Sequence, residues 1–286
     1  MSPSDTSDIT RLSARNFSRL SAFIANELGI KMPDAKAPMV QSRLMRRARE
    51  LGFDSVDGYV EHLFQSPGTT DEHIHVIDAL TTNKTDFFRE PVHFDYLAAN
   101  VLPRFHAEAG AGRGDRAVRV WSAGCSSGEE PYTLTMVLSE FAARNRGFDY
   151  SILATDVSTR MLERAQSAIY EESRIAPVPV PLRSKYLLRS KDPGRQLVRV
   201  VPELRRAVTF ERLNLMDETY HVRGPFDVVF FRNVMIYFDR PTQEKVVNRI
   251  SQHLRFDGYL FVGHSETLAG LDIPLAAVGP AIYRRT

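Results

Sequence analysis

The chain has 286 residues, 43% of them hydrophobic and 25% charged, the proportions of a globular protein with room for one large or two modest cores. A formal net charge of +2 and a single cysteine, Cys125, give no argument for a nucleic-acid partner and exclude an internal disulfide framework or a multi-cysteine metal site. The polar, acidic start Met1-Ser-Pro-Ser-Asp-Thr-Ser-Asp8 is unlike a signal peptide. No apolar run nears the roughly 20 residues of a membrane helix, so a soluble, cytoplasmic protein without membrane insertion is expected.

Residues 1–80 read as a small helical domain. Phe17, Leu20, Phe23, Ile24 and Leu28 recur at helical spacing, with Gly29 as a C-cap. A second helix is predicted from Met39 to Leu51, stopping at Gly52. A third follows Asp54-Ser55 and ends before Pro67-Gly68, and a fourth covers Asp71–Leu80. Thr81–Glu90 is a polar linker anchored by Phe87-Phe88. From residue 91 to 286, buried strands alternate with helices, the pattern of an α/β fold with a parallel sheet covered on both faces. The predicted strands are Val118–Ser122, Ser151–Ala154, Val208–Leu213, Asp227–Phe231 and Tyr259–Val262, with helices at Pro131–Arg144, Ser158–Ser167 and Thr242–Leu254. Ala276–Arg284 reads as a closing hairpin. About residues 170–204 the alternation gives way to prolines and short strand-like pieces such as Gln196–Val201, an insertion carrying a small antiparallel sheet.

The strongest local signal is Val118-Arg-Val-Trp-Ser-Ala-Gly124-Cys-Ser-Ser-Gly128-Glu129-Glu130-Pro131, a strand running into a small-residue turn that opens a helix at Pro131. Phosphate-binding turns leave the helix N-terminus bare for an anion. Here Glu129 and Glu130 occupy that place, which suits a cationic ligand; helix-dipole complementarity is the other reading of the pair. Asp156 ends the second strand, where a carboxylate can accept from both ribose hydroxyls or cap the next helix. Asn214 and Asp217 follow the third strand, where an adenine edge would lie. Together these point to an adenosyl nucleotide without phosphates.

Six ordered segments resemble the chemotaxis receptor methyltransferases (CheR family). They are Thr81-Thr-Asn-Lys-Thr-Asp-Phe-Phe-Arg-Glu90, Trp121-Ser-Ala-Gly-Cys-Ser-Ser-Gly-Glu-Glu-Pro-Tyr132, Ala154-Thr-Asp-Val-Ser158, Asn214-Leu215, Phe231-Arg-Asn-Val-Met-Ile-Tyr-Phe-Asp239 and Phe261-Val-Gly-His-Ser-Glu266. The resemblance spans about Ser13 to Tyr283. It implies a helical N-terminal domain before a class I, Rossmann-like methyltransferase domain with an inserted β-subdomain. It also implies S-adenosyl-L-methionine as cofactor, S-adenosyl-L-homocysteine as product, and glutamate side chains of receptor methylation helices as substrate. The cofactor contacts it implies are Asn83, Thr85, Arg89, Glu129, Asp156, Asn214, Leu215, Arg232 and Asn233, with Leu215 and Arg232 acting through backbone groups.

A glutamate acceptor is already ionised near neutral pH, so no general base is required, and positioning and desolvation carry the chemistry. Arg89, by its planar fork, and Tyr237, by its hydroxyl, are the catalytic candidates; a structural ion pair with Glu90 and packing beside Phe238 are their alternatives. His264 and Glu266 are read as pocket wall, Cys125 as packing, and no metal site is expected. Arg43, Arg46, Arg47 and Arg49 form a basic cluster on the second helix, a docking surface for acidic receptor helices or else a solvated face. Some members of the resembling family bind a receptor C-terminal pentapeptide along the subdomain, an ability tied to a glycine-rich turn. Ser190-Lys-Asp-Pro-Gly-Arg-Gln196 has one glycine, so a tether-independent monomer is expected, with Gln196–Val201 as the subdomain edge. A methyltransferase acting on another substrate, or a non-catalytic nucleotide-binding regulator, are the competing functions.

Overall fold

The computed structural model describes residues 12–65, 70–110, 117–192 and 194–286. Pro67-Gly68 and Pro193 of the subdomain turn lie outside them. The chain divides into two compact units, Met1–Thr82 and Asn83–Thr286.

The first unit contains α1 (Ala14–Leu28), α2 (Ala37–Glu50), α3 (Val56–Gln65) and α4 (Thr70–Leu80). Sequence chemistry sets the ends of α1. The Ser13 hydroxyl accepts from Asn16 N at 3.2 Å, and Gly29, left-handed at φ 68°, donates to Ala25 O. Phe17, Leu20, Ile24 and Leu28 form its buried stripe, while Phe23 lies half-buried against the Phe64 ring. No helix among the described residues is long and apolar enough to cross a membrane.

The second unit opens with α5 (Val92–Tyr96) and α6 (Leu102–Gly110), joined by a π-turn at Leu97–Val101. The alternating elements follow: β1 (Val118–Ala123), α7 (Glu129–Arg144), β2 (Tyr150–Asp156) and α8 (Thr159–Ser167). The insertion carries β3 (Ile169–Glu171), α9 (Val180–Tyr186), β4 (Leu187–Arg189) and β5 (Leu197–Val200). After α10 (Pro202–Arg206) come β6 (Val208–Arg212), β7 (Phe226–Phe231), α11 (Arg240–His253), β8 (Leu254–Val262), β9 (Leu275–Gly279) and β10 (Ile282–Arg285).

One sheet has the order β6-β2-β1-β7-β8-β10-β9, parallel except at β10, which pairs antiparallel with β8 and β9. All six residues of β7 are buried, as expected of a strand covered on both faces. Strand order reverses between β1 and β7, which opens a crevice at their carboxyl ends. The inserted sheet has the order β3-β5-β4. β5 is therefore its middle strand, paired on both sides, so Gln196–Val201 is not the subdomain edge; β3 and β4 are.

Candidate active site

The loop after β1 is built for close approach. Gly124, Ser126 and Gly128 are left-handed (φ 84°, 49° and 95°). A Cβ on Gly124 would sit 2.6 Å from Val234 Cγ2, and one on Gly128 would sit 2.8 Å from Ala165 Cβ. The backbone N–H groups of Gly124 and Cys125 both donate to Thr155 O of β2, at 2.8 and 2.9 Å. Cys125 is buried, and burial pushes its thiol well above the ordinary range, so it is packing and not a nucleophile.

Two carboxylates converge on this loop from the ends of neighbouring elements. Asp156, 9% exposed at the tip of β2, accepts from Ser126 N at 2.8 Å and Ser158 N at 2.9 Å. The cap of α8 is the Ser158 hydroxyl, which accepts from Met161 N; Asp156 pins the turn before it. Glu129, 1% exposed in the first turn of α7, accepts from the Ser127 hydroxyl at 2.7 Å and from Arg174 Nη2 at 2.5 Å. Buried acid at a helix N-terminus repels phosphate and suits a ligand bearing ammonium and sulfonium charges, so S-adenosylmethionine fits this donor set. Beyond β6, Asn214 Oδ1 accepts from Met216 N, and Leu215 O from the Tyr220 hydroxyl.

The segment Asn83–Glu90 is tied to this loop. Asn83 O accepts from the Ser126 hydroxyl at 3.0 Å, Thr85 O from Arg174 Nη2 at 2.6 Å, and Phe88 N donates to Thr133 Oγ1. Phe87 is fully buried, edge-on to Tyr170. Phe88 and Glu90 are left-handed non-glycine residues (φ 52° and 57°), a backbone cost of about 1–3 kcal/mol each that clusters at functional sites. Arg89 is half-buried, its Nη1 donating to Lys84 O at 3.0 Å; the expected alternative, a pair with Glu90, goes instead to Arg232.

Arg232, at the end of β7, is the electrostatic hub. Its Nη1 donates to Glu130 at 3.1 Å and its Nη2 to Glu90 at 3.0 Å and to Arg89 O. Asn233 Nδ2 donates to Glu90 Oε1 at 3.2 Å. The two carboxyls that share Arg232 differ. Burial pushes Glu90 up, yet the Arg232 charge and the hydrogen bonds from Arg232 and Asn233 outweigh it and leave Glu90 below the usual range. At Glu130 burial outweighs the same guanidinium, and the carboxyl is raised. His93, 1% exposed beside Glu90 and His264, is lowered to about 4, by burial first and then by the Arg232 and His264 charges. Glu90, His93 and His264 place potential ligand atoms within 4.8 Å of one another, with Glu90 bonded to Arg232 and Asn233.

Tyr237 ends a short 3₁₀ turn, Met235–Tyr237, after β7 and is half-buried. Glu266, read from sequence as pocket wall, accepts from Gly263 N, Asn233 N and Ile236 N at 2.6, 2.8 and 3.3 Å.

In the helical unit the basic cluster divides. Arg43 Nη1 donates to the carbonyls of Ala79, Leu80 and Thr81 at the end of α4, at 3.3, 3.2 and 3.0 Å. Arg47 grips Glu72 with two bonds, at 2.9 and 2.8 Å, and the Tyr59 hydroxyl donates to the same carboxylate. These two arginines hold the unit together and are not a free stripe. Arg46 and Arg49 remain exposed and line an open cleft of about 1740 Å³ with Phe17, Gln41 and Met45. That cleft gathers no buried titratable groups and is a surface feature, not a chemical site.

Sequence reasoning missed Arg174, His93 and the Glu90–Arg232–Glu130 network. Arg174 stands in a proline-flanked insertion with no motif around it. Glu90 and Arg232 were both in quoted motifs, but pairing across 142 positions leaves no local trace.

Comparison with known proteins follows the same division. Residues 15–81 match the family description "CheR methyltransferase, all-alpha domain", and residues 83–281 match "CheR methyltransferase, SAM binding domain". The chain is 40% identical over 269 residues to "Chemotaxis protein methyltransferase" of Borreliella burgdorferi, covering 94% of this chain and 93% of that protein. It is 39% identical over 272 residues to proteins of the same name from Salmonella typhimurium and Escherichia coli, covering 95% of this chain and 90% and 91% of theirs. The chain belongs to the CheR family of S-adenosylmethionine-dependent methyltransferases of chemotaxis.

Proposed function

We propose that the chain methylates glutamate side-chain carboxylates on the cytoplasmic methylation helices of chemotaxis receptors, giving glutamate 5-O-methyl esters and S-adenosylhomocysteine. Alongside family membership, one observation carries the reading. The start of α7 and the end of β2 supply the carboxylates Glu129 and Asp156, whereas the segment Asn83–Glu90 and the turn after β7 supply Arg89 and Tyr237. Anionic groups serve a cationic cofactor; cationic and hydrogen-bonding groups serve an anionic acceptor.

When bound, the cofactor supplies an electrophilic methyl group whose leaving group is a neutral thioether. The acceptor carboxylate is ionised at neutral pH, with a reference pKa of about 4.3, so the chain must orient it and strip its water. Arg89 offers a planar fork to the carboxylate, and the Tyr237 hydroxyl donates to its second oxygen. Glu129 takes the ammonium and Asp156 the ribose hydroxyls. Asn83, Thr85, Asn214, Leu215 and Asn233 complete the cofactor site, and Arg232, whose guanidinium is committed to Glu90 and Glu130, contributes through its backbone. Arg46 and Arg49 steer the acidic receptor helices.

Transfer of radiolabelled methyl to a receptor cytoplasmic fragment tests the reading. The expected product is label released by mild base, as a carboxylate ester is. Base-stable label would mean methylation of nitrogen, and would sink the glutamate assignment.

A further inference from the structure

Glu266 lies in the turn after β8, where Glu266 N donates to Gly263 O at 2.9 Å. Its carboxylate is 8% exposed and accepts three backbone N–H groups. One comes from its own turn, at Gly263. The other two come from Asn233 and Ile236, both in the loop after β7 that carries Tyr237. Asn233 is left-handed at φ 59°, a conformation asparagine adopts more readily than other side chains. The two loops touch without slack, since a Cβ on Gly263 would fall 2.4 Å from Asn233 Nδ2 and 2.9 Å from Glu266 Oε2. Asn233 Nδ2 continues the chain of bonds to Glu90, and Glu90 to Arg232.

An ionised carboxylate only accepts, so it can satisfy several convergent N–H groups that an amide of equal size cannot. Keeping it there has a cost. Burial pushes the Glu266 carboxyl above its usual range, against the pull of the backbone N–H groups. The strands do not need it, because β7 and β8 pair through their own ladder, with Val229 opposite Leu260 and Phe231 opposite Val262. The carboxylate acts on the loops at the strand ends.

We propose that Glu266 is a positioning residue for methyl transfer, holding the Asn233–Tyr237 loop in the conformation that presents the acceptor-binding groups. The assignment rests on the reading above that this loop handles the acceptor carboxylate. Its effect falls chiefly on the transfer step, since of the loop's residues only Asn233 is assigned to the cofactor and the others face the acceptor.

Full-length Glu266→Gln is compared with the wild type for kcat and KM with a receptor fragment, for Kd with S-adenosylhomocysteine by calorimetry, and for melting temperature. The expected result is a kcat lower by roughly 10- to 100-fold, with Kd and KM within about twofold and a melting temperature close to wild type. Full kcat in Glu266→Gln overturns the inference, as does a loss of cofactor affinity in step with kcat. Should the glutamine variant fail to fold, Glu266→Asp keeps the charge and shortens its reach, and is judged by the same criteria. A wild type that binds cofactor but forms no ester removes the acceptor reading itself, a result distinct from an active wild type matched by its variant.

Discussion

Asp156 is held on both oxygens by backbone N–H groups, those of Ser126 and Ser158. Asp156→Ala should weaken S-adenosylhomocysteine binding by about 1–3 kcal/mol, measured by calorimetry; an unchanged Kd would reduce the side chain to a pin for the Ser126 and Ser158 turns. His93 makes a pH prediction. Its folded pKa is lowered from 6.5 to about 4, so the unfolded chain binds its proton first as the solution acidifies. Its contribution to stability is complete above pH 6.5 and is lost as pH falls toward 4, a loss of roughly 3 kcal/mol. Glu130 and Glu266, raised by burial, have the opposite sign, since their contribution is lost as pH rises. Urea unfolding of wild type and His93→Gln across pH 4 to 7 isolates the histidine: the wild-type curve should be the steeper, and parallel curves would refute the assignment. Asp156 was legible in the sequence because a strand and a turn announce its place. His93 was not, because its ring packs on Phe261 and His264, far along the chain.

Helix ends and strands were readable wherever the chemistry is local: Ser13 and Gly29 bracket α1, and the apolar runs of β1, β7 and β8 fall within a few residues of their expected places. The α5–α6 stretch carries no clear helical signal in the sequence. Pro103 lies within it and cannot donate to the preceding turn, and the backbone widens to a π-turn just before, where Leu102 N bonds to Leu97 O. The basic cluster on α2 shows the same limit, since spacing gives the face of a residue but not its partner. Arg46→Glu with Arg49→Glu should raise KM for receptor while cofactor affinity holds, and wild-type activity should fall with salt, exposed charges being screened beyond about 8 Å at physiological ionic strength. Equal kinetics would leave both as solvated residues. Glu72→Gln, which removes the charge and one of the two acceptors of the Arg47 fork, should instead destabilise the helical unit by about 1–3 kcal/mol in denaturant titration. The Arg47 bond, chiefly, holds Glu72 below its usual range. Its contribution is therefore present above about pH 4.5 and is lost on acidification through the lowered pKa.

At the scale of the whole molecule, the proposed cofactor residues all fall within Asn83–Thr286, and the exposed docking arginines within Met1–Thr82. A fragment beginning at Asn83 should keep S-adenosylhomocysteine affinity near that of the full chain and lose receptor methylation; a fragment that folds but binds no cofactor would contradict this division. Tether independence is tested by receptors with and without their C-terminal pentapeptide, which should be methylated at equal rates. Any peptide that did add to the inserted sheet would lie along β3 or β4, because β5 has no open side. The insertion is nonetheless not a detachable module. Its Arg174 bonds Thr85 O and the buried Glu129, with Asp86 at 3.4 Å, so one guanidinium is both the counterion of a proposed cofactor residue and the fastening of the Asn83–Glu90 segment. In exchange of parts between relatives, a foreign subdomain lacking a cation at this position would remove the counterion that the buried Glu129 has before any ligand arrives. The inserted sheet and the cofactor loop must therefore vary together, and a chimera of this family is bounded by that one side chain more tightly than by the seams of its fold.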